Sequence, residues 1–272
     1  MTSGSPGRLI ILFAIPLMLG NICQQLYTMV DTMVVGQVAG VEALAALGAV
    51  DFLMWVVTGI STGLTQGFSI QLSQYYGAKD FENLRKSLAH SYRLTAFIAA
   101  GVLILSQSFA SLVLTGLHTP SNIIGMSLLY LRIIFCGIPA TAAYNMFASA
   151  LRAMGNSKTP LTAMIIASVL NVSLDILFVA GFGWGVAGAA IATVIAQSFS
   201  AVYCFLILRR IDIVHLTRAD FMPASGMNAR LMKLGIPVVF QNIIIGVQHQ
   251  VLHLGLQLGV DCCFDSKAAG VE

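Results

Sequence analysis

Two acids stand in stretches of sequence otherwise built for lipid. Asp31 lies inside an apolar run from about Leu9 to Val35, and Asp175 lies as deep in a later one. A carboxylate at mid-bilayer costs several kcal/mol, so such residues usually face a protein interior or a wet cavity and handle an ion, a proton or a cationic substrate. Their neighbours extend the pattern. Gln24, Tyr27 and Asp31 fall at i, i+3 and i+7, one helix face, with Asn21 close by. Asn171 and Asp175 are one helical turn apart. Thr193 sits in the middle of Ala190-Ile191-Ala192-Thr193-Val194, and Tyr144 and Asn145 follow Pro139. A single Asn or Thr in a membrane helix is more often glue between helices, but glue does not need a charge. If these faces converge, two carboxylates, an amide oxygen and a hydroxyl make the all-oxygen pocket that a small hard cation prefers. The same oxygens could take up a proton instead, since two adjacent acids in a low dielectric do not both stay ionised.

The elements that must position these residues are membrane spans. Of 272 residues 57% are hydrophobic and 9% charged, with mean hydropathy +0.86, against roughly one-quarter charged in a soluble domain. Seven apolar runs can be drawn, near 9–36, 45–76, 91–114, 122–149, 160–181, 185–208 and 231–258, each long enough to cross the hydrocarbon core as a helix. They are too long and too uniformly apolar for barrel strands. The expectation is therefore an all-α, multi-pass protein of the plasma (inner) membrane, with the bilayer as its first partner. Basic residues alternate with the spans: Arg8, Lys79, Arg85, Lys86, Arg93, Arg152, Lys158, Arg209, Arg210, Arg218, Arg230 and Lys233 fall on one side, while loops near 37–44, 115–121 and 182–184 hold no Lys or Arg. That asymmetry predicts a cytoplasmic N-terminus. Arg132, early in the fourth span, is the exception, and is expected to snorkel.

No phosphate-binding loop, no Ser-His-Asp set at one membrane depth and no basic patch beyond these loops is present, which argues against an enzyme, a nucleotide-driven pump and a nucleic-acid partner. No cofactor is expected, only Na+ or H+ as a coupling ion, and no metal beyond Na+ at the cation site. The five cysteines lack zinc-type spacing and read as small apolar residues. Asp51, near the outer end of the second span, is expected either to cap that helix or to join the polar set. Pro16, Pro139 and Pro237 predict kinks.

A polar connector, 211–230, separates a six-span unit, 1–210, from a second beginning, 231–272. Phe13-Ala14-Ile15-Pro16 reaching Asn21 returns as Leu234-Gly235-Ile236-Pro237 reaching Asn242, as in transporters built from parallel repeats. After Val247 the run is interrupted by Gln248-His249-Gln250, His253 and Asp261-Cys262-Cys263, which predicts an incomplete seventh helix with a truncated or frame-shifted end. His249 and His253 share a face, but no third metal ligand is evident.

These segments resemble a known family. Ile15-Pro16-Leu17-Met18-Leu19-Gly20-Asn21, continuing through Gln24-Gln25-Leu26-Tyr27-Thr28-Met29-Val30-Asp31 and Glu42-Ala43-Leu44-Ala45-Ala46-Leu47-Gly48, is similar to the start of multidrug and toxic compound extrusion (MATE) transporters. Gln74-Tyr75-Tyr76-Gly77-Ala78, Ala150-Leu151-Arg152-Ala153-Met154-Gly155-Asn156-Ser157 and Gly185-Val186-Ala187-Gly188-Ala189-Ala190 follow in the family's order. The resemblance, over about residues 8–247, implies the N-terminal six-helix lobe of a twelve-helix antiporter that exports cationic, amphipathic compounds in exchange for Na+ or H+. It implies a cation or proton site at Asp31, Asn171, Asp175 and Thr193, with Gln24, Tyr27 and Asn145 supporting it or lining the substrate cavity. A missing C-terminal lobe, or a second half-chain, would be needed to complete it. A lipid or lipid-linked oligosaccharide flippase of the same superfamily, or a half-length membrane protein that transports nothing, are the alternatives.

Overall fold

The structure is a computed structural model that describes residues 6–116, 119–214, 216–222 and 226–268, with side chains of the last helix described to Gln248. Its helices are α1 (Pro6–Val38), α2 (Val41–Gly77), α3 (Phe81–Gly116), α4 (Ile124–Cys136), α5 (Ile138–Ala153), α6 (Lys158–Asp175), α7 (Gly185–Arg209) and α8 (Met227–Ala268). No strand occurs among the described residues. α2, α3, α6 with the turn after it, α7 and α8 to Gln248 are long and apolar enough to cross a membrane, and α4 with α5 makes a sixth, broken span bent by 46°. α1, at 33 residues, is about 50 Å long at 1.5 Å per residue and covers the first predicted span.

The break in the fourth span falls at Gly137. Its N–H reaches the carbonyls of Ile133 and Ile134, and a Cβ there would stand 2.6 Å from Val194 Cγ2. Pro139 then enters the first turn of α5, where its missing N–H is no loss. Pro16 and Pro237, by contrast, lie inside continuous helices. α3 begins ten residues earlier than its apolar run. Asp80 caps it, accepting from Asn83 N (3.2 Å) and Asn83 Nδ2 (2.7 Å), and these bonds hold its carboxyl below the ordinary range. Arg85 and Lys86 therefore sit on helix and not in a loop, with Lys86 paired to Glu82 at 2.6 Å. The capping role offered for Asp51 is overturned: α2 starts at Val41, so Asp51 lies well inside it. The apolar pattern had hidden the extra turns.

α6 and α7 form a hairpin, α1 packs on α6, α5 packs against α2, α3 and α7, and α8 lies along α2. Phe68, Leu72, Leu84, Leu88, Met146, Leu151, Leu208 and Leu231 fill the space where α2, α3, α5, α7 and α8 meet. The α2–α8 seam is closer still. A Cβ on Gly63 would stand 2.6 Å from Val239 Cα, and one on Gly67 would stand 2.7 Å from Gly235 N, so only glycine permits this approach.

The connector between α7 and α8 carries two short 3-10 turns, Asp212–Val214 and Arg218–Phe221. Asp220 Oδ2 accepts from Thr217 N (2.7 Å) and Thr217 Oγ1 (2.8 Å). Burial pushes its carboxyl up, but those bonds outweigh it and the net shift is downward. His90 of α3, fully buried, has Nδ1 2.8 Å from Asn228 Oδ1 and Nε2 3.0 Å from Met222 O, and Arg93 donates to Phe221 O at 3.3 Å. The connector is thereby pinned to α3. The predicted His249 and His253 face and the interrupted end lie outside the described side chains.

Candidate functional site

α1, α6 and α7 bring the predicted polar faces together. Asn171 and Asp175 occupy the buried face of α6, with Asp175 fully enclosed. Asn171 Nδ2 donates to Thr193 Oγ1 across to α7 at 3.3 Å. Asp31, 7% exposed on α1, lies within electrostatic reach of Asp175. Asp31 Oδ1, Asn171 Oδ1 and both oxygens of Asp175 are buried without a hydrogen-bond donor. Most buried polar groups in proteins find a partner; Gln71, Ser87, Ser91 and Thr95 elsewhere in the bundle also leave neutral atoms without one, and what sets this cluster apart is that three of its four unpartnered acceptors belong to carboxylates. No Lys or Arg forms an ion pair with either acid among the described residues.

The backbone changes character at this place. Immediately after Asp175 the chain widens into a π-helical turn, Ile176–Gly181, with Phe182 N bonded to Leu177 O at 2.9 Å. Such turns insert an extra residue into a helix and recur at functional sites. Phe178 within it stacks on Trp184 at 5.2 Å between ring centres, and a Cβ on Gly188 would stand 3.0 Å from Phe178 Cβ. The hairpin that holds Asp175 is therefore tightly closed at that end.

The other predicted residues divide. Tyr27 is half-buried beside Gln24 and Gln197, within electrostatic reach of Asp31. Gln24 and Asn21 are exposed on α1. Asn145 on α5 is half-buried and makes no side-chain hydrogen bond with the set; its neighbour Tyr144 is the α5 residue within electrostatic reach of Tyr27.

Two residues had escaped the sequence reading. Gln197 lies one turn past Thr193 on α7 and leaves Oε1 buried without a partner; its i+4 spacing from Thr193 was a legible signal. Tyr130 on α4 lies within electrostatic reach of Asp31, Tyr27, Asp51 and Asp175. A tyrosine in an apolar run ordinarily reads as an interfacial anchor, so nothing marked it.

Comparison with known proteins bears on the fold and the family. The sequence is 31% identical over 244 residues to the probable multidrug resistance protein YpnP of Bacillus subtilis, covering 90% of this chain and 55% of that protein. The fold superposes on a MOP superfamily transporter from Pyrococcus furiosus with TM-score 0.83 at 25% identity, covering 89% of this chain and 54% of that one. The outward-facing conformation of a multidrug resistance MATE family transporter gives TM-score 0.83 at 26% identity, covering 88% and 53%. The chain thus spans about half the length of the relatives it matches. The MatE family profile covers residues 16–177, more than half of the sequence, and the chain belongs to that family.

Proposed function

We propose that this chain forms the N-terminal lobe of a secondary active antiporter that exports cationic, amphipathic compounds in exchange for Na+ or H+. Asp31, Asn171, Asp175 and Thr193 hold the coupling ion. The observation that carries this reading is the set of four buried acceptor oxygens without a donor. Two carboxylates in a dry interior need a positive partner, and neither has a basic side chain paired to it among the described residues. A bound Na+ or an acquired proton supplies that partner, and either leaves when the site opens. Thr193 orients the amide of Asn171 through the 3.3 Å bond, leaving Oδ1 free as a ligand. Gln24, Tyr27 and Asn145 face the substrate side.

Occupancy by the ion favours one lobe conformation and release favours the other, so a cationic substrate and the ion alternate across the cycle. A C-terminal lobe, or a second half-chain, completes the substrate cleft. The alternation of basic residues along the chain supports a cytoplasmic N-terminus in the plasma membrane. Efflux of a cationic dye from vesicles holding the complete transporter, driven by an imposed Na+ or H+ gradient, is the test. Asp31→Asn and Asp175→Asn should each abolish gradient-driven efflux while the protein inserts at wild-type levels. Wild-type efflux in both variants overturns the reading.

A further inference from the structure

α3 and α7 do not pack on each other, and α5 lies behind the gap between them. That gap holds a cavity of about 220 Å3 lined by Tyr92, Phe205, Leu208, Arg209, Val214 and Leu216. Two of the lining residues are aromatic, Tyr92 of α3 and Phe205 of α7, and Phe147 of α5 supports both: Tyr92 meets it edge-on at 5.4 Å, and it tilts against Phe205 at 5.2 Å. The connector closes one end through Val214 and Leu216. At the lip, the Arg209 guanidinium stands 5.9 Å from the centre of the Phe205 ring. Arg209 forms no ion pair among the described residues.

Arg209 also ends a stripe. Ile195, Phe199, Val202, Leu206 and Arg209 recur at i, i+4, i+7, i+11 and i+14, one face of α7. The four apolar members are 40%, 39%, 56% and 51% exposed. A face of this kind on a membrane helix meets acyl chains, and a cation at its end meets phosphate head groups. Exposed Arg210 adds a second charge beside it. A free phosphate would leave the aromatic lining uncovered, and a cationic drug would face the guanidinium.

We propose that the α3–α7 gap binds an anionic phospholipid, its phosphate held by Arg209 and an acyl chain laid against Tyr92, Phe205 and Leu208. The site is separate from the Asp31 and Asp175 cluster and does not depend on transport. Native mass spectrometry of the purified chain with phosphatidylglycerol, phosphatidylcholine or inorganic phosphate tests it. Phosphatidylglycerol should be retained several-fold better than phosphatidylcholine. Arg209→Gln should remove that preference, Arg209→Lys should keep most of it, and Arg132→Gln, exposed on α4, should leave it unchanged. As a second readout, Phe205→Trp should be quenched by phosphatidylglycerol carrying brominated chains more strongly than the native Trp55 and Trp184 background. Equal retention of the two lipids, an unchanged preference in Arg209→Gln, or no added quenching at position 205 overturns the proposal. Displacement of the lipid by millimolar inorganic phosphate overturns it in favour of a free-phosphate site.

Discussion

Two buried regions of this bundle follow opposite rules. Where α1, α6 and α7 meet, side-chain oxygens are enclosed without donors. Where α2 and α8 meet, two glycines bring backbone against backbone between apolar side chains, with room for no Cβ at Gly63 or Gly67. Lipid tails are as apolar as leucine, so membrane helices associate through close packing more than through apolar burial. The glycine seam is therefore a source of stability. The polar cluster works against stability, since each buried group without a partner carries a desolvation penalty. Under the proposed function, the contrast separates residues kept for the fold from residues kept for the ion. It also predicts that damage to one region leaves the property of the other intact.

Asp175→Asn gives the largest separation. Gradient-driven efflux by the complete transporter should fall by roughly tenfold or more, because an amide cannot neutralise a bound cation or carry a proton. The thermal midpoint in detergent should not fall, since the substitution removes a buried charge without a partner. A drop of several degrees with efflux retained would mean that the cluster is scaffold, and the contrast would fail. Gly67→Ala should do the reverse. Forcing a methyl against Gly235 N and Leu234 O costs about 1–3 kcal/mol, so the midpoint should fall by a few degrees. Gly48→Ala, where nothing lies within 4 Å of the added carbon, is the matched control, with a change within about 0.5 kcal/mol.

The two regions also differed in how far they could be read in the sequence. The acids were legible because a carboxylate among apolar residues breaks the composition of a span, and the spacing of Asn171 to Asp175 fixed their common face. The convergence of that face with Asp31 and Thr193 follows from the packing of α1, α6 and α7, which no single span encodes. The π turn after Asp175 left no mark, since Ile176-Leu177-Phe178-Val179-Ala180 continues the apolar run. The seam was illegible for a different reason. Gly59, Gly63 and Gly67 recur every fourth residue, but the spacing does not name the partner helix, and α8 lies far along the chain. The break at Gly137 lies two residues before Pro139, because proline starts the new helix there instead of bending the old one.

Smaller effects sharpen the contrast inside the cluster. Thr193→Val removes the acceptor of the 3.3 Å bond from Asn171 Nδ2 and strands a buried donor, at about 1 kcal/mol. If Asn171 is held in place for the ion, the concentration of Na+ or protons needed for half-maximal efflux should rise about fivefold, and Thr193→Ser should restore it. If the bond is only glue between α6 and α7, the midpoint should fall and the ion dependence should stay where it was.

Gln197 poses the finest version of the question. Its Oε1 is buried without a partner, one turn from Thr193 and beside Tyr27, yet it carries no charge and no hydrogen bond joins it to Asn171. A ligand and a bystander differ here in sign. Gln197→Leu fills similar volume and deletes the stranded acceptor, so as a bystander it should raise the thermal midpoint slightly and leave ion dependence alone. As an outer ligand it should weaken ion dependence by less than Thr193→Val does, because the two carboxylates still supply the charge. We expect the second outcome, with a shift of about twofold, under 0.5 kcal/mol. An unchanged ion dependence with a higher midpoint would confine the site to Asp31, Asn171, Asp175 and Thr193.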